Sequence, residues 1–137
     1  MNQEMYDKGL AIRTAVAGPE YVQKALSSAD DFTQPLQELV TEYCWGAVWG
    51  RKELDRRTRS CITIAMLALL NRPSELQTHI RGGMRNGCTK VEIREILLQV
   101  AIYAGVPASN DSFRAACEVF DIMDAEAKAA SKDPIDK

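Results

Sequence analysis

The chain is poor in the residues that build metal and redox centres. Its 137 residues include one histidine, His79, and four cysteines, Cys44, Cys61, Cys88 and Cys117. These are dispersed, so no zinc cluster is expected and the metal expectation is none. No two cysteines stand in a CxxC spacing, and no disulfide framework is indicated. There is no basic block: the formal net charge is -2 and the arginines are scattered, which excludes a nucleic-acid footprint. No apolar run is long enough for a bilayer. The longest, residues 61–70, is followed at once by Asn71 and Arg72. The first ten residues hold no apolar segment of the signal-peptide kind, so the expectation is a cytoplasmic protein with reduced thiols and no membrane partner. No stretch alternates as a strand would.

What remains is helical periodicity. The spacing predicts an all-α single domain over 1–137 with about six to seven helices and a frayed tail at 131–137. The first helix covers roughly 3–17. Gly18-Pro19 starts the second. A third runs from about Phe32 through Leu36, Leu39, Tyr43 and Ala47 to Gly50. Asp55 caps a fourth over roughly 56–71, apolar on most faces and therefore expected at the centre of the fold. Pro73 opens the fifth, which Asn86-Gly87 stops. Thr89 with Glu92 reads as a capping box for the sixth. "GVPASN" (105–110) is expected to break the chain before the last helix.

Two stretches are unusual. In "ELQTHIRGGMRNG" (75–87), Leu76, Ile80 and Met84 form an apolar stripe, and His79 lies at its margin. Glu75, four residues earlier, is within reach to fix the ring's tautomer and raise its pKa. Gly83, one turn on, either leaves room for a ligand beside the ring or marks a helix crossing. In "EYCWGAVWGRKELDRRTRS" (42–60), Glu42, Trp45 and Trp49 share an α-helical face, with arginines beyond. The tryptophans either anchor a helix contact or wall a pocket. Arginine suits planar carboxylates because its donors form a fixed fork. A structural role is expected for each cysteine.

The combination WGxxWxR, TRS before an apolar helix, ELxxHIRG, NGCTKxEIRE and YxGxPAxN resembles the carboxymuconolactone decarboxylase family, over nearly the whole chain to about residue 120. The resemblance implies an alkylhydroperoxidase-D-like helical fold and a homo-oligomer, a hexamer. It implies cofactor-independent decarboxylation of 4-carboxymuconolactone to 3-oxoadipate enol-lactone in the β-ketoadipate pathway. His79 and Glu75 are then the catalytic candidates. Arg51, Arg59, Arg72, Trp45, Trp49 and Glu42 are the candidates for binding a small dicarboxylate lactone. Other members of that superfamily place a CxxC before the histidine. Here Arg72 and Glu75 occupy those positions, so that disulfide chemistry is excluded there. The alternatives are a member acting on another small lactone or keto acid, a non-catalytic binding or assembly protein, and a thiol peroxidase using Cys44 with a second cysteine.

Overall fold

The computed structural model describes residues 1–132. Seven α-helices and one π-helical segment follow one another, and no strand occurs among the described residues. The helices are α1 (Gln3–Ala17), α2 (Pro19–Ser27), α3 (Gln34–Leu39), α4 (Arg56–Leu69), α5 (Pro73–Arg85), α6 (Lys90–Ala104) and α7 (Val106–Ser131). The π segment, Val40–Val48, continues directly from α3. The expected frayed tail falls mostly on 133–137, outside the described residues; Ser131 itself still belongs to α7.

Local chemistry sets most boundaries. The Asp55 carboxylate accepts from the Thr58 N–H at 2.7 Å and starts α4. Thr89 Oγ1 accepts from the Glu92 N–H at 3.1 Å and starts α6. Gly87, at φ 97°, ends the α5 turn in a conformation that suits glycine. The expected break at 105–110 shrinks to Gly105 alone, because Pro107 falls in the first turn of α7, where its missing N–H costs nothing.

Two apolar clusters hold the chain. The larger joins α4 to α7 through Ile64, Leu76, Ile80, Ile93, Leu97 and Val119. The smaller consists of Ile12, Val16, Trp45 and Trp49, where α1 meets the π segment. Two expectations are corrected. The α4 helix is not buried all round: Ser60, Ile64 and Ala68 are its buried residues, and Ile62, Met66 and Leu69 are exposed. Its partners cover one side only. Likewise Phe32, Leu36, Leu39 and Tyr43, which share an apolar periodicity, all lie on the outside.

Candidate functional site

The α5 helix aims His79. Leu76 and Ile80 are sealed in the larger cluster and fix the helix rotation. That rotation turns His79 toward the smaller cluster, where its ring stacks on Trp45 with 5.9 Å between centroids and 2° between planes. Trp49 completes the seat at 6.2 Å from His79 and 4.9 Å from Trp45.

The tryptophans reach this position through the π segment. The Trp49 N–H donates to the Cys44 carbonyl, five residues back, at 2.9 Å. A π-turn holds more residues than an α-turn. Residues four apart still fall on one side of it, and Thr41, Trp45 and Trp49 form one buried stripe. Arg13 of α1 is 5% exposed and packs on this stripe, donating to Thr41 Oγ1 at 3.0 Å and Gln37 Oε1 at 2.9 Å. Sequence reasoning missed Arg13; one cation beside an apolar stripe gives no signal of its burial.

The same winding removes Glu42 from the tryptophan face on which an α-helix would place it. Glu42 and Gly46 turn toward the start of α1. The buried Glu42 carboxylate accepts from the Asn2 N–H at 2.8 Å. An anion there meets the positive end of α1, a favourable pairing. Glu42 is thus engaged in holding α1.

Glu75 does not pair with the histidine. It is exposed, and His79 Nδ1 is buried with no hydrogen-bond partner among the described residues. Burial lowers the pKa of His79, whereas a neighbouring carboxylate would have raised it. Gly83 leaves no open space beside the ring either. A Cβ there would lie 3.1 Å from Ile64 Cδ1 and 3.4 Å from Ser60 Cβ, so Gly83 is a crossing point with α4.

The lowered pKa has a stability consequence. The unfolded chain binds a proton at His79 near the ordinary value of 6.5, and the folded chain does so only at lower pH. Stability from this group is complete above about pH 6.5 and is lost as pH falls toward the folded pKa. Urea midpoints measured between about pH 7 and 5 should fall more steeply for the wild type than for His79→Gln. Parallel curves would refute the depressed pKa.

The arginines separate. Arg59 is half-buried, and its Nε is buried with no partner among the described residues. Its neighbour Ser60 accepts from Asn86 Nδ2 at 3.0 Å, tying α4 to the end of α5. Arg51 is exposed and 3.4 Å from Glu53. Arg72 is exposed at the start of α5. A cleft of about 480 Å³ opens beside Trp49, lined also by Lys8, Arg51, Lys52 and Arg56. Lys8 was not foreseen. A Cβ on Gly50 would fall 2.9 Å from Lys8 Nζ, so the glycine after Trp49 lets that ammonium lie across the segment's end.

A family model for the carboxymuconolactone decarboxylase family matches residues 34–118, which contain the tryptophans, Arg59 and His79. The chain belongs to the carboxymuconolactone decarboxylase family. A 4-carboxymuconolactone decarboxylase of Acinetobacter baylyi is 42% identical over 134 residues, covering 97% of this chain and all of that protein. A nitrosuccinic acid decarboxylase of Metarhizium robertsii is 44% identical over 108 residues, 79% of this chain and 76% of that one. An uncharacterised 15.0 kDa protein of Paracoccus denitrificans is 30% identical over 89 residues, 64% of this chain and 66% of that one. Family membership confirms the all-α expectation and makes the His79 seat the candidate centre of a decarboxylase.

The thiol alternative finds no support at Cys44. That residue is exposed and is a free thiol. The dense surroundings of its sulfur raise the thiol pKa, with Arg13 pulling weakly the other way. A raised pKa is the opposite of what a nucleophilic thiolate needs. No helix among the described residues is long and apolar enough to cross a membrane.

Proposed function

We propose that this protein decarboxylates 4-carboxymuconolactone to 3-oxoadipate enol-lactone, with His79 as proton donor. The observation that carries the reading is the seat of His79: an imidazole stacked on Trp45, walled by Trp49, on the family's matched segment. The full-length likeness to the Acinetobacter baylyi enzyme supports the substrate.

The substrate supplies its own electron sink. The departing carboxylate sits on the ring carbon that bears the lactone oxygen, and a double bond links that carbon to the lactone carbonyl. Loss of carbon dioxide sends the electron pair through the ring to the carbonyl oxygen. The resulting dienolate is protonated at the carbon beside the carbonyl. Neither an organic cofactor nor a metal is needed for this sequence. A neutral imidazole N–H can stabilise the oxyanion and then deliver a proton. The arriving dianion raises the ring's pKa, which readies it as an acid. The tryptophan wall is apolar, so a carboxylate placed there loses charge favourably on leaving as carbon dioxide.

Arg59 is assigned to the acetate carboxylate that stays on the product; its buried Nε, without a partner among the described residues, supports this. A charged hydrogen bond is worth about 1.5–3 kcal/mol. Arg59→Met should therefore raise KM by about 10–100-fold. Arg51→Met and Arg72→Met, at exposed positions, should change it much less. Steady-state kinetics on the three variants decide this; an Arg51 or Arg72 effect larger than that of Arg59 would reassign the role.

A second reading rests on the Metarhizium robertsii likeness. Decarboxylation of nitrosuccinate also leaves an anion delocalised onto oxygen and a remaining carboxylate. The test is direct: freshly prepared 4-carboxymuconolactone and nitrosuccinate are compared, following carbon dioxide release and the enol-lactone. Faster turnover of the lactone supports the main reading; turnover of nitrosuccinate alone overturns it. The proposal also includes a cytoplasmic homo-oligomer, a hexamer. The apolar side chains left outside just before and along α3, Phe32, Leu36 and Leu39, support assembly.

A further inference from the structure

The fold brings together two thiols that the decarboxylation does not use. Cys61 on α4 and Cys88 in the α5–α6 turn are 27 positions apart, yet their sulfurs lie 3.6 Å from each other. Cys88 is buried and held in place. Its N–H donates to the Gly83 carbonyl at 2.8 Å, and its sulfur lies 3.8 Å from the Arg57 carbonyl. Cys61 is half-buried and lines an apolar cleft of about 400 Å³ between α4 and α6, with Ala65, Met66, Ile96 and Tyr103. One sulfur is therefore fixed, and the other is reached from the surface.

We propose that Cys61 and Cys88 form a reversible disulfide site, closed by a small hydroperoxide. The terminal peroxide oxygen passes to the Cys61 thiolate as the O–O bond breaks. The remaining alkoxide or hydroxide takes a proton and leaves as alcohol or water. Cys61 is then a sulfenic acid. The Cys88 sulfur attacks the Cys61 sulfur, the S–O bond breaks, and the hydroxide leaves as water with the Cys88 proton. Two thiols lose two electrons and two protons in all, and one peroxide is reduced.

The geometry favours this pair over any other in the chain. A disulfide spans about 2.05 Å, so the sulfurs must approach by roughly 1.5 Å. The Ser60–Asn86 hydrogen bond at 3.0 Å already ties the same two backbone segments, which keeps the closure local. Burial, with the hydrogen bond to Cys61, pushes the Cys88 thiol up to about 11. Cys88 is thus the protonated, resolving partner, and the more accessible Cys61 meets the oxidant first.

The experiment uses the native protein, treated with hydrogen peroxide near stoichiometry, then alkylated and digested. The expected result is a peptide joining Cys61 to Cys88, lighter by two hydrogens and released by dithiothreitol. It should persist in a Cys44→Ser/Cys117→Ser variant. Closing this loop should raise Tm by about 5–10 °C. Oxidation confined to Cys44 and Cys117, or a Cys61–Cys88 link formed only in urea, would overturn the proposal. Because the mapping reads the wild-type chain and no turnover, it stands or falls independently of the substrate.

Discussion

His79→Gln should lose about 10²–10⁴ in kcat while staying folded and assembled, since one positioned acid is typically worth that much. This corresponds to about 3–5 kcal/mol of barrier. Glutamine keeps a donor and much of the ring's volume, so the tryptophan seat survives; it cannot cycle a proton. The contrast variant is Glu75→Gln. Glu75 is exposed, and His79 is oriented by its stack on Trp45. Glu75→Gln should therefore leave kcat close to that of the wild type. Carbon dioxide release from 4-carboxymuconolactone measures both. Full activity in His79→Gln would remove the imidazole from the mechanism. A loss in Glu75→Gln as large as that in His79→Gln would restore the carboxylate as its orienting partner.

The second large effect is expected at Gly9. In the middle of an exposed helix, replacing glycine by alanine stabilises by roughly 1 kcal/mol. Here the sign reverses. A Cβ on Gly9 would stand 1.9 Å from the Thr41 carbonyl oxygen and 2.8 Å from the Gly46 nitrogen. Both neighbours are backbone and cannot rotate away. A carbon needs about 3.3 Å or more from such an oxygen, so α1 and the π segment must part by more than roughly 1 Å. Overpacking of this kind costs about 3 kcal/mol or more, a large share of the 5–15 kcal/mol that holds a domain together. Trp45 and Trp49 ride on the displaced segment, so activity should fall with stability. Urea unfolding of Gly9→Ala tests this against Gly83→Ala. At Gly83 the nearest atom is the tip of Ile64, 3.1 Å away, which can move. Equal stability of the two variants would refute the close approach.

Much of this protein is written locally. Pro19, Asp55, Pro73, Thr89 and Gly105 each act within one helical turn, and each marks a boundary that the structure keeps. Leu76 and Ile80 fix the α5 stripe for the same reason, and His79 at its margin follows from their spacing. The family is legible because its motifs are short and local too.

What the tertiary structure decided depends on groups far apart in the chain. The π winding of residues 40–48 moves Glu42 off the tryptophan face, and no 3.6-residue pattern announces an i→i−5 bond. Arg13 is buried only because Gln37 and Thr41 arrive across 24 and 28 positions to accept its hydrogen bonds. Gly83 is filled by α4 and not by a ligand, and Cys61 meets Cys88 across the same helix crossing. Periodicity states which side of a helix is apolar. Which neighbour covers that side, and how closely, is set by packing between helices, and those contacts have no spacing to read.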